Sequence, residues 1–102
     1  MPEIDLEKLR REEVRWRVLR VLDAGRPMPV SETLLLTALT DIKLELTPHE
    51  LRREMDYLRD RGTIEILGED GSVWSANLTR LGVDLVEYTI PCEPGIARPA
   101  RR

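Results

Sequence analysis

A chain of 102 residues, 41% apolar and 34% charged, is long enough for one domain with one core and too short for two that each bury enough apolar surface. Its formal net charge of -3 excludes an evenly basic nucleic-acid binder, so any attraction for phosphate has to come from local clusters of Lys and Arg. The single cysteine, Cys92, excludes an intramolecular disulfide and fits a reducing, cytoplasmic setting. The start Met1-Pro2-Glu3-Ile4-Asp5 lacks the basic residues and apolar run of a signal peptide, and no apolar stretch is long enough to span a bilayer, so no membrane partner is expected.

The first helix is expected from Leu6 to Ala24, capped by Asp5 and stopped by Gly25, Pro27 and Pro29. Leu9, Trp16 and Leu19 lie near one another on it. Val14, Val18, Val21 and Leu22 follow helical spacing, so the apolar stripe broadens toward the C-terminal half, which should pack in the core. From Lys8 to Arg26 seven positive residues face three negative ones, Glu12, Glu13 and Asp23, an excess of 7 minus 3, or 4. That excess makes a candidate phosphate-facing surface, although Lys and Arg stems also commonly cover apolar helix flanks.

A second, short helix is expected after Ser31, whose hydroxyl can accept a backbone N–H, with Val30 and Leu35 at staple positions and an end near Thr40. Leu34, Leu35, Ala38 and Leu39 should leave it largely buried. Met28 to Val30 and Ile42 to Leu46 read as extended pieces. The strongest local signal is Thr47-Pro48-His49-Glu50, which combines a capping hydroxyl, a proline at the first helical position and a glutamate able to close a capping box. The helix that follows should bury Leu51, Met55 and Leu58 and end at Gly62, with His49, Arg52, Arg53, Asp56, Arg59 and Asp60 on the opposite face.

Thr63 to Leu67 and Ser72 to Leu78 are rich in strand formers, and Gly68-Glu69-Asp70-Gly71 between them has the composition of a hairpin turn. A last short helix is expected after Thr79, with Leu81, Leu85 and Val86 inward and Gly82 as a weak spot in its first turn. From Thr89 onward Pro91, Pro94, Pro99, Gly95 and the basic Arg98, Arg101 and Arg102 indicate an extended or disordered tail. The organisation is therefore one domain over residues 1–88 and a tail over 89–102.

The run from Leu51 to Ile66, LRREMDYLRDRGTIEI, resembles the helix-to-wing passage of winged-helix regulators of the ArsR, MarR and PadR type. In those families a Leu, a basic residue and Gly precede an apolar strand at this spacing. A Leu-Thr-x-x-Gly sequence after the wing opens their next helix, as Leu78-Thr79-Arg80-Leu81-Gly82 does here. The resemblance covers roughly Val14 to Tyr88. It implies an α+β winged helix-turn-helix fold, with a three-helix core, a two-stranded hairpin wing and a short C-terminal helix, whose third helix enters the major groove. The ending from Val86 to Pro99, VEYTIPCEPGIARP, is similar to that of small uncharacterised proteins of Mu-like phages and prophages, which implies a phage context and assigns no activity.

On this reading the expected function is that of a DNA-binding transcriptional regulator acting on double-stranded DNA through Arg52 and Arg53, with His49 as a further contact. The same residues read equally simply as a solvated face with helical pairs such as Arg52 and Asp56. The proposed third helix is formally neutral, since Arg52, Arg53, Arg59 and Arg61 are balanced by Glu50, Glu54, Asp56 and Asp60. Glu69 and Asp70 would repel phosphate if the hairpin lay along a duplex. The alternative is a protein-interaction module that holds a phage or host partner through the first helix or the tail. Trp16 and Trp74 read as core or core-edge residues. A homodimer is expected, since DNA-binding winged-helix proteins usually pair through their first or last helix, and Trp16, if exposed, would mark the interface. No enzyme activity, metal or cofactor is expected: His49 and Cys92 are far apart, with no ligand cluster, nucleophile motif or phosphate-binding glycine loop around them.

Overall fold

The computed structural model describes residues 3–101, so Met1, Pro2 and the Arg102 of the basic tail lie outside the described residues. Four helices and three short strands follow in the order α1 (Leu6–Gly25), β1 (Val30–Ser31), α2 (Glu32–Asp41), α3 (Pro48–Asp60), β2 (Ile64–Leu67), β3 (Ser75–Leu78) and α4 (Arg80–Val86). Each helix starts at the residue whose side chain suits it. Asp5, Ser31 and Thr79 accept the N–H of Lys8, Leu34 and Gly82, and Thr47 and Glu50 close a reciprocal capping box.

The architecture is α+β, with a small antiparallel sheet in the order β1-β3-β2. The hairpin pairs Ile64 with Leu78 and Leu67 with Ser75. It is therefore not the whole sheet: β1 adds a third strand, pairing Val30 with Ala76 and Ser31 with Ser75. Of the two pieces read as extended, only the first becomes a strand, at its Val30 end. Residues 42–46 form a turn through Lys43, at φ 68°, and then an irregular connection.

One core joins all four helices and the sheet: Val14, Val18, Leu19 and Leu22 of α1, Leu35 and Leu39 of α2, Leu51, Met55 and Leu58 of α3, Ile64, Ala76 and Leu85. Burying side chains of this size stabilises by about 1.5–3 kcal/mol each before the cost of ordering the chain. The C-terminal half of α1 packs in the core as expected, while Leu6 and Leu9 on its first turns are exposed. One expectation for the core is corrected: Leu34 is exposed, because α2 turns its Leu35 and Leu39 side to the core.

Gly82 is no weak spot. A β-carbon there would overlap the main-chain oxygen of Thr63, so its bareness lets α4 press onto the start of β2. Thr79 completes the junction by donating its N–H to Thr63 O at 3.0 Å and its hydroxyl to Gly62 O at 2.6 Å. Gly62 stands at φ 77° just past α3, where glycine carries no steric penalty.

Residues 89–101 contain no helix or strand, yet they return across α1, α3 and α4. Ile96 enters the core, and Ala97 donates its N–H to Glu12 O at 3.1 Å. Arg15 donates to Gly95 O at 2.9 Å and Arg61 to Pro94 O at 3.0 Å, while Arg98 donates to both Leu85 O and Ile90 O and lies over the Tyr88 ring. Trp16, only 2% exposed, meets Tyr88 edge-on with ring centroids 6.1 Å apart. The tryptophan is thus a core residue on the tail side of α1 and offers no anchor to a second subunit.

Candidate nucleic-acid interface

The residues expected to read DNA divide once their surroundings are built. His49 and Arg53 are exposed, one turn apart near the start of α3, and neither forms an ion pair among the described residues. Arg52 is held instead. Its Nε and Nη2 donate to the two carboxylate oxygens of Glu32 at 2.8 and 2.7 Å, Nη2 also donates to Ser72 O at 3.1 Å, and the guanidinium lies 4.5 Å from the centre of the Trp74 ring. The expected pairing of Arg52 with Asp56 is replaced by this contact, and Asp56 binds Arg59.

Glu32 shapes that arrangement. It opens α2 right after β1, is only 6% exposed, and meets the Trp74 main chain twice: its own N–H donates to Trp74 O at 2.8 Å, and its carboxylate accepts the main-chain N–H of Trp74 at 2.5 Å. The first of these bonds carries the β1–β3 ladder one residue further. The hydrogen bonds from Arg52, followed by that from Trp74, hold the Glu32 carboxyl below the ordinary carboxylate range against the opposing effect of burial. A guanine contact is worth about 1–3 kcal/mol of discrimination, and moving Arg52 to make one would strand a buried carboxylate, which generally costs more. In this structure Arg52 is a pin that joins α2, α3 and the segment leading into β3.

Arg53 faces a cleft of about 210 Å³ between the starts of α1 and α3, lined also by Arg10, Arg11, Glu7, Glu50 and Glu54. Glu50 is engaged in the capping box, where the Thr47 N–H foremost keeps its pKa low. Glu54 pairs with Arg15 at 2.7 Å, so four arginines meet three glutamates here and the balance is slightly positive. Arg10 also reaches the main-chain oxygen of Glu45. The basic excess expected along the first helix is in part spent on structure, since Arg15 holds Glu54 and the tail and Arg17 pairs with Glu13.

The hairpin turn remains acidic. Glu69 pairs with Arg59 of α3, which draws one carboxylate away from the tip and leaves Asp70 exposed. His49 stands at the head of α3 and Cys92 is half-buried in the tail. Among the described residues no group of three His, Cys, Asp or Glu side chains is placed to hold a metal ion, and no helix is long and apolar enough to cross a membrane. Glu32, Trp74 and Arg15 were not legible as site residues, because each acts on a partner remote in the chain and no spacing marks such a pair. No protein-family model, curated protein or solved structure matches the chain.

Proposed function

We propose that the chain is a winged helix-turn-helix DNA-binding protein without enzyme chemistry, a small regulator that addresses duplex DNA with Arg53 and His49. One observation carries this reading. The first half of α3 presents His49 and Arg53 free, beside Arg10 and Arg11 of α1. The order of three helices, hairpin and short last helix supports it, with the hairpin as the wing and α3 as the helix that enters the major groove. Arg53 supplies the base contact, and Arg10 and Arg11 supply phosphate contacts. Fluorescence anisotropy with a mixed-sequence duplex at low salt tests it: binding should fall steeply as salt rises, and Arg53→Ala with His49→Ala should abolish it. Binding that survives both substitutions, or no binding at low salt, defeats the proposal.

A second reading, a protein-interaction module on the same scaffold, is favoured by Leu6 and Leu9, which are 72% and 51% exposed on the projecting turns of α1, and by the acidic hairpin tip. A second copy paired through these leucines would give the expected homodimer. Light scattering of the full chain and of Leu6→Glu with Leu9→Glu distinguishes a dimer lost on substitution from a monomer throughout.

A further inference from the structure

We propose that Glu32 masks Arg52 from DNA, so that this one buried carboxylate decides which member of the Arg52-Arg53 pair faces the duplex. The inference rests on the DNA-binding reading above and goes beyond it, because it assigns a specificity role to a residue outside the exposed face of α3.

The geometry is restrictive. A guanidinium reads guanine with two parallel N–H groups along one edge. One edge of Arg52, Nε with Nη2, is taken by the two oxygens of Glu32. The other edge, Nη1 with Nη2, has its second Nη2 hydrogen on Ser72 O. Neither edge is free for a base while the Trp74 ring covers one face of the plane. Glu32 is committed in turn, because its Oε2 also takes the Trp74 N–H and its side chain is 7% exposed, so water cannot readily replace Arg52. The carboxylate therefore stands where a base edge or phosphate would stand, and it cancels the arginine's charge at the surface of α3. Arg53, one position on, lines the cleft beside Arg10 and Arg11 and has no ion-pair partner among the described residues.

Neutralising Glu32 should expose a second reader. In Glu32→Gln the amide oxygen can still accept the Trp74 N–H while the charge that holds Arg52 is gone. Duplex binding should tighten several-fold at low salt, and the slope of log K against log salt should steepen by roughly 0.9, the value of one added phosphate contact. The double variant Glu32→Gln/Arg52→Met removes the pair without stranding a buried charge and should bind as the unaltered chain does. The mask is overturned if Glu32→Gln leaves affinity and slope unchanged, or if the double variant loses binding as fully as Arg53→Ala. Where circular dichroism shows that Glu32→Gln does not fold, the comparison of the double variant with Arg53→Ala decides alone. If neither the unaltered chain nor any variant binds duplex, the DNA reading itself falls, an outcome distinct from an unaltered chain that binds through Arg52.

Discussion

Ala97 donates its main-chain N–H to the main-chain oxygen of Glu12 at 3.1 Å, tying the tail to the middle of α1. The bond sits beside the buried Ile96 and is flanked by two arginines, Arg15 of α1 on Gly95 O and Arg61, just past α3, on Pro94 O. Most of these contacts address carbonyl oxygens, so they hold the path of the tail more than its side chains. Residues 89–101 thus belong to the same packed body as the helices, although they contain no regular element.

Gly95→Ala should release that segment. Gly95 has φ 114°, and a β-carbon there would overlap the Tyr57 hydroxyl. A loss of about 1–3 kcal/mol in urea unfolding is expected from strain and overpacking, with faster hydrogen exchange at the Ala97 amide. Unchanged stability together with a protected Ala97 amide would show that the seat tolerates a side chain.

Gly82→Ala should be more disruptive than its helical position indicates, since alanine normally improves a helix over glycine. Here the added methyl meets the rigid Thr63 carbonyl, and the junction of α4 with β2 must open. Destabilisation of about 1–3 kcal/mol is expected; a stabilised variant would mean that α4 does not press on Thr63.

Acid should weaken the Glu32 pin. Its folded pKa lies below the ordinary 4.5, so the stability it contributes is complete above that value and is lost as pH falls through the lowered one. Unfolding free energies of the unaltered chain and Glu32→Gln should differ at pH 7 and converge in strong acid. A constant gap across that range would assign the effect to packing alone.

Thr47→Ala should cost about 1 kcal/mol, because it removes the hydroxyl that accepts the Glu50 N–H at 3.1 Å and leaves the Glu50 half of the capping box alone. The effect should appear in thermal unfolding and in helicity at 222 nm. Equal stability of the two chains would show that water caps α3 as well as threonine does.

How much was legible follows the range of each interaction. Asp5, Ser31, Thr47 and Thr79 each cap a donor three residues on, and a bond that short is written in neighbouring residue types. The stripe of Leu51, Met55 and Leu58 was equally plain, since one helix face buries all three. The hairpin was legible in place but not in extent: its strands are Ile64–Leu67 and Ser75–Leu78, and Ser72 and Val73, read as strand, belong to the turn. The reach of α1 was legible too, though the exposure of Leu9 was not, because periodicity shows which residues share a face and not where the body beneath that face ends.

Sequence alone determined the helix starts, the order of the four helices and the hairpin, and most of the apolar face of α3, because these rest on bonds and periodicities spanning a few residues. Only the tertiary structure decided that β1 joins β3, that Glu32 captures Arg52, and that residues 89–101 fold back over α1. Each of those contacts closes a long loop, and its partner is selected by shared burial and by the need to pair buried charge, which no local pattern specifies.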